Sequence, residues 1–168
     1  VVAAATSGPR GAAAVAVLLW SGVGARDVAL GWTRLEGEAN AALIAEAVEN
    51  APRLPPPGAT ALGEGMAAGL ALLGAFPGEA RRYVMDVSGD GRNNAGRAPG
   101  PVRDLAVQAG ITVNGLAVLN EEPDLLDHYA AEVIGGPGSF AMSCADYADF
   151  REAILRKLVR ELGGALVA

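Results

Sequence analysis

A short apolar run, Tyr83 to Ser88, stops at Gly89-Asp90-Gly91 and gives way to the polar residues Arg92, Asn93 and Asn94. A carboxylate between two glycines meets a ligand without crowding from its neighbours. The end of a buried parallel strand is also where open α/β folds bind their ligands. Asp90 therefore has two readings. It caps backbone amides in a Gly-Asp-Gly bend, or it meets a ligand at the carboxyl edge of the sheet. Asp86 and Ser88 share its face of the sheet if the strand is regular, since side chains alternate. Asp86 is then either a supporting carboxylate or a buried group bonded to the following loop. Arg92, Asn93, Asn94 and Arg97 form a loop beside Asp90, read either as solvated or as a rim that selects an acidic partner. Thr60 opens a helical stretch. As a helix-start residue it reads first as an N-cap, and its hydroxyl oxygen has a second lone pair for another role.

Other reactive side chains lack company. Ser88 is not in a G-x-S-x-G elbow, because no glycine stands two residues before it. The glycines from Gly89 to Gly96 match neither the Walker A nor the dinucleotide pattern. His128, the sole histidine, falls in a helical segment and reads as a surface residue. Cys144 stands alone, so it makes no intrachain disulfide and no zinc site. Arg151, Arg156, Lys157 and Arg160 read as a solvated basic side of the last helix. Pro55-Pro56-Pro57 reads as rigid support for the loop before Thr60.

The elements that must position these residues follow from patterning. Ala13 to Trp20 is an apolar run read as a strand, Ser21 to Gly24 is turn chemistry, and Val28 to Arg34 is the return strand of a hairpin. Glu38 to Glu49 carries a helical apolar face. Asn50 to Ala59 has four prolines in ten positions and is a loop. Helices are expected at Thr60–Leu73, Val102–Ala109, Asp124–Val133 and Asp146–Leu162. The last carries Phe150, Ile154, Leu155, Leu158 and Leu162 on one face. Strands are expected at Tyr83–Ser88, Ile111–Leu119 and Phe140–Ser143. Val1 to Thr6 reads as the tail of a helix. The alternation after residue 60 implies a parallel, doubly wound sheet with right-handed crossovers.

Composition sets bounds. The 168 residues suffice for one domain, and at 51% hydrophobic but 5% aromatic the core must be built from Ala, Val and Leu. A net charge of -6 argues against nonspecific nucleic-acid binding. No apolar run is long enough to span a bilayer. Val1 to Ala5 lacks the basic start of an export signal, and the chain begins without Met, which reads as a processed product or a fragment.

The order of elements, with Gly58-Ala59-Thr60 and the segments Val87–Asn94 (Val-Ser-Gly-Asp-Gly-Arg-Asn-Asn) and Val133–Gly138 (Val-Ile-Gly-Gly-Pro-Gly), resembles the von Willebrand factor type A (vWA) domain. It is most similar to a bacterial vWA-like family of unknown function. The resemblance covers essentially the whole chain. It implies a three-layer, Rossmann-like α/β domain with a doubly wound, mostly parallel sheet and one antiparallel edge strand. It also implies a metal-ion-dependent adhesion site (MIDAS) at the carboxyl edge, with Thr60 and Asp90 as metal ligands and Mg²⁺ or another divalent cation as cofactor. Such sites take three further ligands from an Asp-x-Ser-x-Ser motif after the first strand. That motif occurs nowhere here, and the first strand and most of the first helix are absent. The expectation is a single domain over residues 1–168 lacking its central first strand.

The function so implied is protein recognition, not enzymatic, with a partner that offers a carboxylate to the cation. The rivals are a metal-independent structural or assembly module and a hydrolase using Asp90 and a cation to activate water. The resemblance makes a periplasmic or secreted location the expectation, though no residue of this chain fixes the compartment.

Overall fold

The computed structural model describes residues 13–52 and 59–163. The expected helix tail at Val1–Thr6 and the prolines at 55–57 lie outside the described residues.

Strand β1 (Ala13–Trp20) turns at Ser21–Ala25 and returns as β2 (Arg26–Leu35), pairing antiparallel from Ala13↔Leu35 to Trp20↔Arg26. The turn closes with Ser21 N donating to Ala25 O at 2.9 Å and Ala25 N donating to Gly22 O at 3.0 Å. It passes through Gly24 at φ 81°, a left-handed conformation in which glycine is the unstrained choice. As expected, no helix separates the two strands, and β2 runs antiparallel. Helix α1 (Glu38–Glu49) packs on β2.

Helix α2 (Leu62–Gly74) starts two residues later than Thr60. Its N-cap is Ala61, without a side-chain cap. Thr60 is held in the preceding loop instead: its N–H donates to Asn94 Oδ1 at 2.8 Å, and its carbonyl accepts from Asn94 N at 3.0 Å. A loop clamped on both sides of one residue cannot also turn that residue into the helix.

Strands β3 (Tyr83–Gly89), β4 (Ile111–Val118) and β5 (Ala141–Cys144) form a parallel sheet in the order β3-β4-β5. The connections are α3 (Pro99–Gln108) and α4 (Leu125–His128), which continues as a π-turn over Tyr129–Val133. Helix α3 begins earlier than its apolar pattern suggested, because Pro99 fits the first helical turn. Every residue of β4 is buried, the mark of a strand covered on both faces. Its odd-numbered residues Val113 and Ala117 join Met85, Val87, Met66 and Tyr129 in the larger core. Its even-numbered residues Leu116 and Val118 meet Ala153, Phe150 and Ile154 of the last helix, α5 (Tyr147–Gly163).

One feature differs from the sequence reading, and a second is the gap that a missing central strand entails. The buried face of α5 is rotated: Ala153 and Lys157 are fully buried while Leu155 is exposed. The sheet is also in two pieces. Among the described residues, β1 pairs only with β2, and β3 only with β4. Between β1 and β3 lies a cavity of about 120 Å³, lined by Leu18 and Trp20 on one side, Met85 and Val87 on the other, and Met66 and Gly69 of α2. Gly65 lets α2 close over the Trp20 side, since a Cβ there would lie 2.7 Å from the indole.

Candidate functional site

The regular β3–β4 register from Tyr83↔Ile111 to Gly89↔Ala117 keeps Asp86 and Ser88 on one face of the sheet and delivers Asp90 just beyond the carboxyl edge. There the loops after β3 and before α2 are stitched together. Asn93 Oδ1 accepts from Gly63 N at 3.2 Å, and Asn94 clamps Thr60 as described. Space around Gly91 is shared by oxygens from two other segments: a Cβ on Gly91 would lie 3.1 Å from Thr60 Oγ1 and 3.5 Å from Glu122 Oε1. The fold thus brings the Thr60 hydroxyl and the Glu122 carboxylate to the residue next to Asp90.

Arg92, beside Asp90, turns toward the β4–α4 loop. Its Nε contacts Glu122 Oε2 at 3.0 Å, its Nη2 contacts Asp124 Oδ2 at 2.6 Å, and its backbone N–H donates to Glu122 Oε1 at 3.1 Å. These bonds raise the Arg92 pKa and lower that of Asp124, its first cause being the hydrogen bond between them. Arg92, Asn93 and Asn94 are therefore engaged within the chain, where they fix loop geometry. Arg97 likewise holds Glu64, Nε to Oε1 at 2.9 Å.

Asp90 has one partner that sequence reasoning missed. The Tyr147 hydroxyl, from the first turn of α5, donates to Asp90 Oδ2. Burial first, then this hydrogen bond, pushes the Tyr147 hydroxyl up to about 12. Asp86 lies farther down the same face and pairs with Lys157 Nζ, which also contacts Glu161 Oε1 at 2.8 Å. Glu161 Oε1 accepts from Asn114 Nδ2 at 2.6 Å. Desolvation outweighs the Lys157 charge and moves the Asp86 carboxyl up to about 6. On the opposite face, Tyr129 is fully buried and its hydroxyl finds no hydrogen-bond partner among the described residues. It points toward Gly89 and Trp20, since a Cβ on Gly89 would lie 2.8 Å from Tyr129 Oη and 3.4 Å from the indole. Burial, then the charges of Asp90 and Asp86, raises its pKa.

The oxygens gathered at the edge suit a hard cation in kind. Among the described residues no group of three or more His, Cys, Asp or Glu side chains is placed to hold a metal ion. Both Glu122 oxygens are engaged by Arg92, and Asp90 Oδ2 accepts from Tyr147, so the oxygens near Asp90 are bonded within the chain.

A parallel sheet with helices on both faces, preceded by an antiparallel hairpin, is the vWA-type, Rossmann-like arrangement. Solved structures share it. Proximal thread matrix protein 1 from the mussel byssus aligns at 20% identity with a TM-score of 0.63, over 93% of this chain and 36% of that one. A von Willebrand factor type A protein from Catenulispora acidiphila aligns at 22% identity with a TM-score of 0.62, over 99% of this chain and 37% of that one. The mussel protein has also been solved with a zinc-occupied MIDAS motif, and that form aligns at 20% identity with a TM-score of 0.61, over 87% of this chain and 34% of that one. This chain therefore spans just over a third of each of these proteins. The chain belongs to the family described as "Protein of unknown function (DUF1194)", whose model matches residues 1–166. Comparison with curated proteins gives no match. Among the described residues, no helix is long and apolar enough to cross a membrane.

Proposed function

We propose that this chain is a protein-recognition module whose contact point is the Asp90 end of the sheet. The reading adds that Thr60 and Asp90 contribute to a divalent-cation site, Mg²⁺ by preference, and that a partner's carboxylate completes the shell. The observation that carries it is the gathering of the Thr60 hydroxyl and the Glu122 carboxylate around Gly91, beside an exposed Asp90. All are oxygen donors, and Mg²⁺ keeps open positions for water or an incoming carboxylate. Ser88 and Asp86 stand behind Asp90 on the strand, and the Arg92–Asn93–Asn94 loop fixes its neighbours. The zinc-occupied MIDAS motif of the mussel protein supports a cation at this edge of the fold. Catalysis is not part of the reading, because no nucleophile–base pair accompanies Asp90 in the sequence.

The test is retention of the chain on an array of Asp- and Glu-bearing peptides, with Mg²⁺ and with EDTA. Retention that needs Mg²⁺ and is lost in Asp90→Ala and Thr60→Ala supports the reading. Retention unchanged by EDTA and by Asp90→Ala would favour a metal-independent assembly module. Turnover of a bound peptide that needs Mg²⁺ would favour the hydrolase.

A further inference from the structure

We propose that Tyr147 is a built-in competitor for Asp90 Oδ2, held there by the pairing of the buried Lys157 with Asp86 and Glu161, so that a cation drawing on that oxygen must displace it. The proposal rests on the reading of Asp90 as a binding group.

Helix α5 meets two carboxylates of this segment, Asp86 within β3 and Asp90 just past its end. Asp86 and Asp90 are four residues apart, about 13 Å at the rise of an extended chain. Tyr147 and Lys157 are ten helical residues apart, about 15 Å. The spacings match, so both contacts form at once without bending either element. They differ in strength. Lys157 is fully buried, and its ammonium is shared by Asp86 and Glu161. The cluster is tied further into the sheet, because Glu161 accepts from Asn114 Nδ2 at 2.6 Å and Asn114 Oδ1 accepts from Phe140 N at 3.1 Å. The Arg160 guanidinium lies 3.8 Å over the Phe140 ring and covers the same end. Breaking such a buried pair strands charge away from water, which is costly.

At the other end Tyr147 is 59% exposed, and Asp90 is exposed as well. A single hydrogen bond at the surface is a weak tie by comparison. The turn that presents Tyr147 is itself fixed: Asp146 Oδ1 accepts from Ala148 N at 2.7 Å and from Asp149 N at 3.2 Å. The lower contact is thus an anchor and the upper one a release point. The Tyr147 hydroxyl donates to Asp90 Oδ2, so a cation drawing on that oxygen, rather than on Oδ1, competes with it.

The test is calorimetric titration of Mg²⁺ into the wild-type chain and into Tyr147→Phe, Glu161→Gln and Asp90→Asn. Tyr147→Phe should bind Mg²⁺ roughly tenfold more tightly, the scale of one charge-assisted hydrogen bond no longer competing. Glu161→Gln, which loosens the anchor without removing it, should move affinity the same way by less. In the wild type, Mg²⁺ should also perturb the near-ultraviolet tyrosine absorption, and that change should vanish in Tyr147→Phe. Equal or weaker binding by Tyr147→Phe overturns the proposal while leaving Asp90 as a ligand. Binding that persists in Asp90→Asn, or no binding by any of the four, overturns the reading of Asp90 as well.

Discussion

Gly63 decides how closely the start of α2 approaches the loop that leads from Asp90 to α3. A Cβ at this position would lie 2.2 Å from Arg97 O and 2.9 Å from Ala98 C, both backbone atoms that cannot swing aside. Its N–H is also the donor to Asn93 Oδ1. Gly63→Ala should therefore push the two loops apart and cost about 3 kcal/mol, the upper range for overpacking. Urea unfolding measures this, and a loss below about 0.5 kcal/mol, the scatter of neutral surface changes, would show that the loops yield freely. At this scale the sequence was partly readable. Asp90 stood out because a strand ending in Gly-Asp-Gly has a local signature. Glu122 and Tyr147 did not, because each reaches the site only through a fold-level contact, 32 and 57 residues away in sequence from Asp90.

Helix α5 shows why an element's boundaries are easier to read than its orientation. Its span, Tyr147–Gly163, agrees closely with the expected Asp146–Leu162. Its leucines suggested one face, and Lys157 was grouped with Arg151, Arg156 and Arg160 as solvated. The sheet offers Asp86 and Asn114 to this helix, and Lys157 on the first and Glu161 on the second satisfy them better than leucines would. No helical periodicity reports what a neighbouring strand presents. The cluster has a consequence for pH. Burial lifts Asp86 from 3.8 to about 6, so the folded chain keeps a proton that the unfolded chain has released. The stabilisation from this group is full below the unfolded value and is lost as pH rises through about 6. It amounts to about 3 kcal/mol at most, reduced by the partial exposure of the Asp86 side chain. Asp86→Asn cannot titrate and should flatten the thermal-unfolding profile across that window. An unchanged slope would assign it to other groups. Lys157→Met should cost about 3–5 kcal/mol at neutral pH by leaving two carboxylates without their cation. Acid should restore part of that loss, and a loss that acid does not relieve would argue against the charge account.

For the whole molecule, the two-piece sheet is the feature that matters most. The expectation of a doubly wound sheet missing its central strand came from the order of elements, and the hairpin and parallel sheet both formed as read. The gap between β1 and β3 followed from the resemblance and not from local patterning, because strand pairing is a long-range property. An unpaired strand edge presents donors and acceptors that ask for a partner. Among the described residues two such edges border one cavity, and the Tyr129 hydroxyl, without a hydrogen-bond partner among them, points at Gly89 and Trp20 near its end. An additional strand seated between β1 and β3 would pair with both edges, and an acceptor on it level with Gly89 would satisfy Tyr129. A segment added upstream of Val1 tests this. Thermal unfolding of this chain should be compared with that of a chain extended upstream, each with and without Tyr129→Phe. The extended chain should melt higher and more sharply. Tyr129→Phe should raise the stability of the shorter chain by about 1 kcal/mol, because it removes a buried hydroxyl that has no partner among the described residues. In the extended chain the same change should be destabilising, because it breaks a bond newly made. Equal midpoints for the two lengths would show that the fold needs no further strand. An effect of Tyr129→Phe with the same sign in both would show that the hydroxyl plays no part in seating one.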